Sequence, residues 1–495
     1  MPTRQLSLIA AASAEIRVAL AALRVELGLP AMFPPDVLTE AQEAAERDLW
    51  SCPNVGEARE DRRDIELVTI DPPGSMDLDQ AVYVTAVRGG GYVVHYAIAD
   101  LAAFVAPGGA LDAEVNQRGL TVYGPDVRTP LHPGVLSEDA ASLLPGQDRP
   151  AALWTIHLDT TGEIIEARVT RAMVRSRQRL TYAEAQSALD DGTASELLRT
   201  LADVGRLRQA RERDRGGVSL DVPEQEVSEA EDGTFKLEFR ATLPIEGWNA
   251  QISLLTGIAA AKIMREAGIG IFRTLPPADP LDLRRLRHIA HALDINWPKS
   301  LPYPELLARL DSRIPKHAAF LAQATTLFRG ASYLPFDTPA DPLRHLAGSV
   351  SHSAIAADYA HVTAPLRRLV DRYGTEICLA HCAGRSVPAW VTDALGALPT
   401  TMATAGRLAS SFERACIDIV EAALLAPAVG DQFDGVVVEA DTRSQAPPYR
   451  GEVVLNEPAV RARLDGAEPL PLGEPVTVTL TEASVPARRI RFTLP

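Results

Sequence analysis

The chain has 495 residues, 46% of them hydrophobic and 23% charged, a globular balance that excludes a mostly disordered, collagen-like or disulfide-scaffold protein. Its length predicts roughly two to four domains. The net charge of −16 argues against nucleic acid gripped by the whole surface but leaves room for a buried basic channel.

Residues 1–50 read as helical, broken at Leu29-Pro30 and Phe33-Pro34-Pro35. Arg4 ahead of Leu6–Ala14 imitates a signal peptide, but the helical period runs on through Ile16, Leu20 and Leu23 and favours a helix. Asp64–Ile70 begins a strand, and Pro72-Pro73-Gly74-Ser75 marks a turn. Ala81–Ala86 and Tyr92–Ala99 predict a hairpin around Arg88-Gly89-Gly90-Gly91; Ala151–Leu158 and Ile164–Met173 are further strands. Helical patterns fit Tyr182–Gln209, Gly247–Glu266, Pro280–Leu293, Pro304–Leu327, Leu366–Cys382 and Met402–Leu425. After Ala426-Pro427 come five short β segments, Gly435–Ala440, Gly451–Leu455, Ala459–Leu464, Pro475–Leu480 and Arg489–Leu494, the size of a small OB-type barrel. Four cysteines suit a reducing compartment. Uncharged apolar runs stay short of the ~18 residues a membrane span needs. A cytoplasmic protein with no membrane partner is expected, with a monomer as the default.

The most informative segment is Asp71-Pro-Pro-Gly-Ser-Met-Asp77-Leu-Asp79-Gln80, with three carboxylates in nine residues around a tight turn. Asp77 and Asp79 share one side of an extended chain, and the turn can fold Asp71 toward them. Converging carboxylates repel unless a cation neutralises them, and hard oxygen ligands suit Mg²⁺ or Mn²⁺. Such an ion serves phosphodiester hydrolysis. A solvated acidic loop is the commoner meaning of a bare Asp-x-Asp pattern.

Downstream, Tyr359-Ala-His361-Val-Thr363-Ala-Pro365-Leu-Arg367-Arg368 precedes Asp371-Arg372-Tyr373. Pro365 reads as a first-turn helix residue, so that a helix N-terminus and Arg367 face one anion. The plainer alternative is a basic amphipathic helix. Arg168, Arg171, Arg175, Arg177 and Arg179 form a basic stretch that can line a phosphate track or a solvated face.

Together with Ile98-Ala99-Asp100, Thr121-Val122-Tyr123-Gly124-Pro125, Arg179-Leu180-Thr181-Tyr182, Gly216–Glu224 and His352, these segments, in this order, resemble the ribonuclease II family and its RNB catalytic domain over roughly residues 55–425. The resemblance implies an α+β fold: a small helical, winged-helix-like module (residues 1–54), an RNB core of mixed sheet with helices (55–425) and a C-terminal OB-fold barrel (426–495). It implies a hydrolytic 3′-to-5′ exoribonuclease that degrades single-stranded RNA to nucleoside 5′-monophosphates with Mg²⁺, or Mn²⁺ in its place. Asp71 and Asp77 match the family's metal-site aspartates, Asp79 the aspartate needed for cleavage, and Arg367 the arginine set against the scissile phosphate. Tyr182 matches a tyrosine beside the terminal nucleotides. Tyr123 matches an aromatic that packs on a base and helps set product length. Asn249, Gln251, His352, Tyr359, Thr363 and Arg368 complete the expected RNA-binding set.

The chain also departs from the pattern. Gln80 stands where the family commonly has a fourth aspartate; its amide oxygen can ligate but brings no charge. Ala364 replaces the serine before the proline, and Trp248-Asn249-Ala-Gln251 lacks the usual glutamate. The barrel holds few aromatics (Phe433, Tyr449 and Phe492) and several acids, such as Glu439 and Asp465, which puts its grip on RNA in doubt. Two alternatives therefore stand beside the exoribonuclease: a non-catalytic or weakly active RNA-binding protein on the same scaffold, and a metal phosphoesterase trimming tRNA 3′ ends.

Overall fold

The computed structural model describes residues 10–52, 57–219, 224–229, 235–240, 242–337, 351–441, 446–455 and 458–494; parts of Leu6–Ala14 and Gly216–Glu224 lie outside them. Seven strands, β1 (Glu60–Asp61), β2 (Val68–Asp71), β3 (Gln80–Ala86), β4 (Tyr92–Ala99), β5 (Asp148–Leu158), β6 (Ile164–Arg175) and β7 (Gln178–Thr181), form one mixed sheet in the order β1-β6-β5-β4-β3-β2-β7. The run β3 to β6 is an antiparallel meander, while β1 pairs parallel with β6 and β2 parallel with β7.

The principal helices are α1 (Ala10–Glu26), α2 (Pro35–Ala45), α3 (Ala110–Arg118), α4 (Tyr182–Asp190), α5 (Glu196–Asp214), α6 (Pro244–Ala267), α7 (Leu369–Cys382) and α8 (Leu398–Leu425). The largest core joins the sheet to α6 and α7 through Val94, Trp154, Ile252, Leu255, Val370 and Ile377. α1 and α2 face different cores. Ile16, Leu20 and Leu23 of α1 pack with Phe412 and Ile419 of α8 and with barrel residues such as Phe492, whereas Val37 and Ala41 of α2 join the sheet core.

Strands β8 (Gln432–Ala440), β9 (Tyr449–Leu455), β10 (Val460–Gly466), β11 (Pro475–Ser484) and β12 (Arg489–Leu494) close into a barrel in the order β8-β9-β10-β12-β11, as the alternating apolar pattern requires. The α+β class and the OB-type barrel are therefore observed. Among the described residues no helix is long and apolar enough to cross a membrane.

Helix boundaries differ from the sequence reading most at three places, while α6 and α8 start three and four residues earlier than expected, at Pro244 and Leu398. The pattern over Tyr182–Gln209 divides into α4 and α5 because Ser195 caps a new helix through the Leu198 N–H. Pro304–Leu327 breaks ahead of a fresh start at Pro315. Helix α7 begins at Leu369 and not at Leu366, leaving Pro365 and Arg367 in a turn. Asp371, in the first turn of α7, folds back to accept the Ala364 N–H at 2.7 Å and so caps that turn with a protein carboxylate. The helix N-terminus itself is displaced from Arg367, and its first N–H, that of Leu369, donates to the Gly119 carbonyl at 3.0 Å.

Candidate active site

Backbone register assembles the first part of the site. The parallel β2–β7 pairing sets Asp71 opposite Thr181. Thr181 is the N-cap of α4, closed by a capping box with Glu184. Asp71 therefore lies beside Tyr182, the first residue of that helix. On α6, Asn249 Nδ2 donates to Tyr182 Oη at 3.4 Å.

The arginine loop arrives from far along the chain. Gly257 of α6 lies under the Tyr359 ring, and a Cβ there would meet the ring at 2.1 Å, so only glycine lets this segment lie on the helix. The loop then crosses to the carboxylates. Leu366 N–H donates to Asp79 Oδ1 at 2.7 Å across 287 residues of sequence, and Arg367 Nε stands 3.4 Å from Asp79 Oδ2. His132 holds the next peptide, its Nδ1 donating to the Leu366 carbonyl at 3.0 Å.

The three carboxylates differ sharply in environment. Asp79 is 4% exposed. Burial lifts its pKa to about 8, outweighing Arg367 and the Leu366 N–H. Burial also lifts Asp71, to about 6, against Arg367, with Asp77 adding to the rise and Arg179 opposing it. Asp71 Oδ2 is buried without a hydrogen-bond partner among the described residues. Asp77 instead accepts Arg128 Nη1 at 2.8 Å and Tyr123 Oη at 3.2 Å. Arg367 keeps 51% of its side chain exposed, so its guanidinium is reachable from solvent.

Gln80 sits beside this group with its amide committed. Its Nε2 donates to the Thr363 carbonyl at 2.7 Å, and its Oε1 accepts from Tyr96 Oη and from Ser253 Oγ, the latter at 3.3 Å. Both lone pairs of the amide oxygen are used, which leaves it tying the sheet, α6 and the arginine loop together.

Others of the expected set lie elsewhere. Gln251 is buried and donates to Glu212 of α5, which also accepts Ser219 Oγ. Arg368 makes a two-point ion pair with Asp371 at 2.5 and 2.8 Å. His352, Tyr359 and His361 form a second aromatic group, with ring centres 5.9 and 5.4 Å apart in that order. Thr363 is buried and reaches the site through its carbonyl. In the basic stretch, Arg171 is wholly buried, held by Asp100 at 2.6 Å and by both oxygens of Glu376 on α7. It locks α7 to the sheet and lines no phosphate track.

Sequence reasoning missed Arg128, Tyr96, Ser253 and His132. Arg128 lies just past the Thr121–Pro125 motif, and a lone arginine or histidine there gives no local signal.

Among the described residues no group of three or more Asp, Glu, His or Cys side chains is close enough to hold a metal ion. The donors still fit Mg²⁺, which takes one or two carboxylates and keeps several waters. Asp71 has an unpartnered oxygen, and burial makes Asp71 and Asp79 costly to ionise, a cost that a bound cation would offset.

A family model described as the RNB domain matches residues 59–379, and one described as the RNase II-type exonuclease C-terminal S1 domain matches residues 431–494. The chain is 28% identical over 327 residues to "Exosome complex exonuclease dis3" of Schizosaccharomyces pombe, covering 63% of this chain and 33% of that protein. It is 30% identical over 330 residues to "Ribonuclease R" of Escherichia coli, covering 63% of this chain and 39% of that protein. It thus spans about a third to a half of the length of such relatives. The solved structure of Mycoplasma genitalium RNase R in complex with ribose methylated single-stranded RNA shares the fold, with a TM-score of 0.83 at 19% identity over 97% of this chain and 78% of that one. The chain belongs to the RNB-domain family.

Proposed function

We propose that this member of the RNB-domain family is a hydrolytic 3′-to-5′ exoribonuclease that degrades single-stranded RNA to nucleoside 5′-monophosphates, with Mg²⁺ as its ion and Mn²⁺ as the substitute. The observation that carries the reading is the meeting of Asp79 with Leu366 and Arg367 beside the unpartnered carboxylate of Asp71.

A divalent cation held by Asp71 with Asp77 or Asp79 would lower the pKa of a bound water and offset charge on the leaving oxygen. The chain's own groups do the rest. Arg367, half exposed and oriented by Asp79, meets the phosphoryl oxygens with a charge already in place. The Leu366 N–H fixes Asp79, and through it the arginine. Tyr182, steadied by Asn249, flanks Asp71 at the 3′ end of the strand. Tyr123 is 48% exposed and offers a stacking face that reads no sequence.

The test is purified protein with Mg²⁺ and uniformly labelled single-stranded RNA. Release of mononucleotides that Asp79→Asn abolishes supports the reading; no product, or full activity in Asp79→Asn, refutes it. One 2′-deoxy nucleotide near the 3′ end separates RNA-specific cleavage from a phosphoesterase that ignores the 2′-OH.

A second reading, a non-catalytic RNA binder, is favoured by the committed Asp77 and Gln80 side chains. It requires single-strand binding that chelator leaves unchanged and no product with any metal.

A further inference from the structure

We infer that Arg128 is the resident counter-ion of Asp77 and competes with the divalent cation for that carboxylate, so that it sets how tightly this chain loads metal. The inference rests on the cation reading proposed above. Asp77 is the carboxylate whose charge reaches both Asp71 and Asp79. A cation held between Asp71 and Asp77 would need an oxygen of Asp77, yet both of its oxygens are already engaged. Arg128 Nη1 bonds Oδ1 at 2.8 Å and Tyr123 Oη bonds Oδ2 at 3.2 Å.

One loop delivers both partners. Val122 and Thr129 close it with reciprocal backbone bonds of 2.9 and 2.8 Å, placing Tyr123 and Arg128 inside the loop. Arg24 of α1 pins it by donating to Asp126 and to the Val127 carbonyl, the latter at 3.0 Å. The clamp on Asp77 is therefore held from outside the site.

Arg128 also has a second place to rest. Its Nη2 lies 2.5 Å from Glu138 Oε1. A guanidinium displaced from Asp77 keeps that carboxylate, so exchange with a cation does not strand an unpaired charge. The side chains of Arg128 and Asp77 are 27% and 14% exposed, enough for water to assist the exchange. Arg128 acts on the carboxylate and not on the reacting phosphate, which makes it a positioning residue for metal loading.

The test is Mn²⁺ titrated into RNA-free protein, with free ion read by electron paramagnetic resonance. Loss of a charge-assisted bond predicts that Arg128→Gln binds Mn²⁺ about ten-fold tighter. Arg128→Lys falls back toward the wild type. Glu138→Gln, which removes the resting place, binds about three-fold weaker. Unchanged or weaker binding in Arg128→Gln, or tighter binding in Glu138→Gln, overturns the inference; the opposite signs protect the result against a folding defect common to both. Asp71→Asn tells the two readings apart. If wild-type Mn²⁺ binding is absent or indifferent to Asp71, the cation reading itself fails and takes this inference with it. If binding needs Asp71 but ignores Arg128, this inference alone fails.

Discussion

Replacing Asp79 by asparagine should stabilise the metal-free protein while abolishing the proposed cleavage. Asp79 is buried, and its pKa rises from 3.8 to about 8 on folding. A carboxyl raised on folding contributes stability that is fully present below its unfolded value and is lost as pH climbs through the folded one. Each pH unit across that span removes about 1.4 kcal/mol from the wild type. Moving from about pH 5 to about pH 7 therefore costs it roughly 2.7 kcal/mol through this one group. The asparagine side chain carries no charge at either pH and still accepts the Leu366 N–H. The stability gap between variant and wild type should thus widen by about that amount over the interval. Urea unfolding in chelator, followed by tryptophan fluorescence at both pH values, measures it. A gap that stays constant, or an Asp79→Asn variant that is less stable than wild type at pH 7, refutes the reasoning. Adding Mg²⁺ should then narrow the gap by stabilising the wild type alone.

Other outcomes follow from the same structure. His132 is fully buried and its pKa is lowered to about 4 by burial, against the help of the Leu366 carbonyl. Its contribution is intact above the usual value near 6.5 and is lost as pH falls toward 4, about 3 kcal/mol in all; His132→Asn should flatten the acid limb of a urea-stability profile. Arg171→Leu leaves Glu376 uncompensated in the core and Asp100 with Arg59 alone and should cost about 3–5 kcal/mol by denaturant unfolding, with Glu376→Gln restoring much of it. Tyr123→Ala removes a stacking face worth ~1–3 kcal/mol and should lengthen the final product on a denaturing gel, whereas Tyr123→Phe should leave it unchanged.

Local patterns were legible and long-range ones were not. The β3–β4 hairpin and the barrel strands show in the sequence because alternation and turn residues lie within a few positions. The Gly270–Thr274 strand pairs with Ser332–Phe336, and neither segment announces a partner so far away. The carboxylate run was visible from its spacing. Arg367 showed as an anion contact within its own segment, but its meeting with Asp79 did not, since nothing near Asp79 points to Leu366, 287 residues downstream. Gln80 shows the reverse. Its position suggested a ligand, but the fold spends its amide on Thr363, Tyr96 and Ser253. Pro365 suggested a helix start, but α7 begins at Leu369, and the turn before it is tied at Ala364 by the Asp371 carboxylate, seven residues beyond.

The contrast among buried carboxylates is what separates site from scaffold. Asp100, Asp371 and Glu376 are each 2% exposed or less, and each is bonded directly to an arginine. Arg171 and Arg59 hold Asp100 below the usual carboxylate range in spite of burial. Those charges are settled within the chain, and a core that needs them gains rigidity where α7 meets the sheet. Asp71 and Asp79 are buried on the same scaffold and lifted by burial, as Glu376 is, but Asp79 has only a 3.4 Å approach from Arg367 where Glu376 has a two-oxygen arginine contact, and Asp71 has an oxygen that nothing among the described residues answers. A structural role gives no reason to leave them so, because an uncompensated buried carboxylate costs several kcal/mol. Under the proposed reading the missing counter-charge is a cation from outside. Arg128 is then the exception that fits neither class: a partly exposed arginine that settles Asp77 but has Glu138 to retire to. Of the charges around the three aspartates, it is the one built to leave.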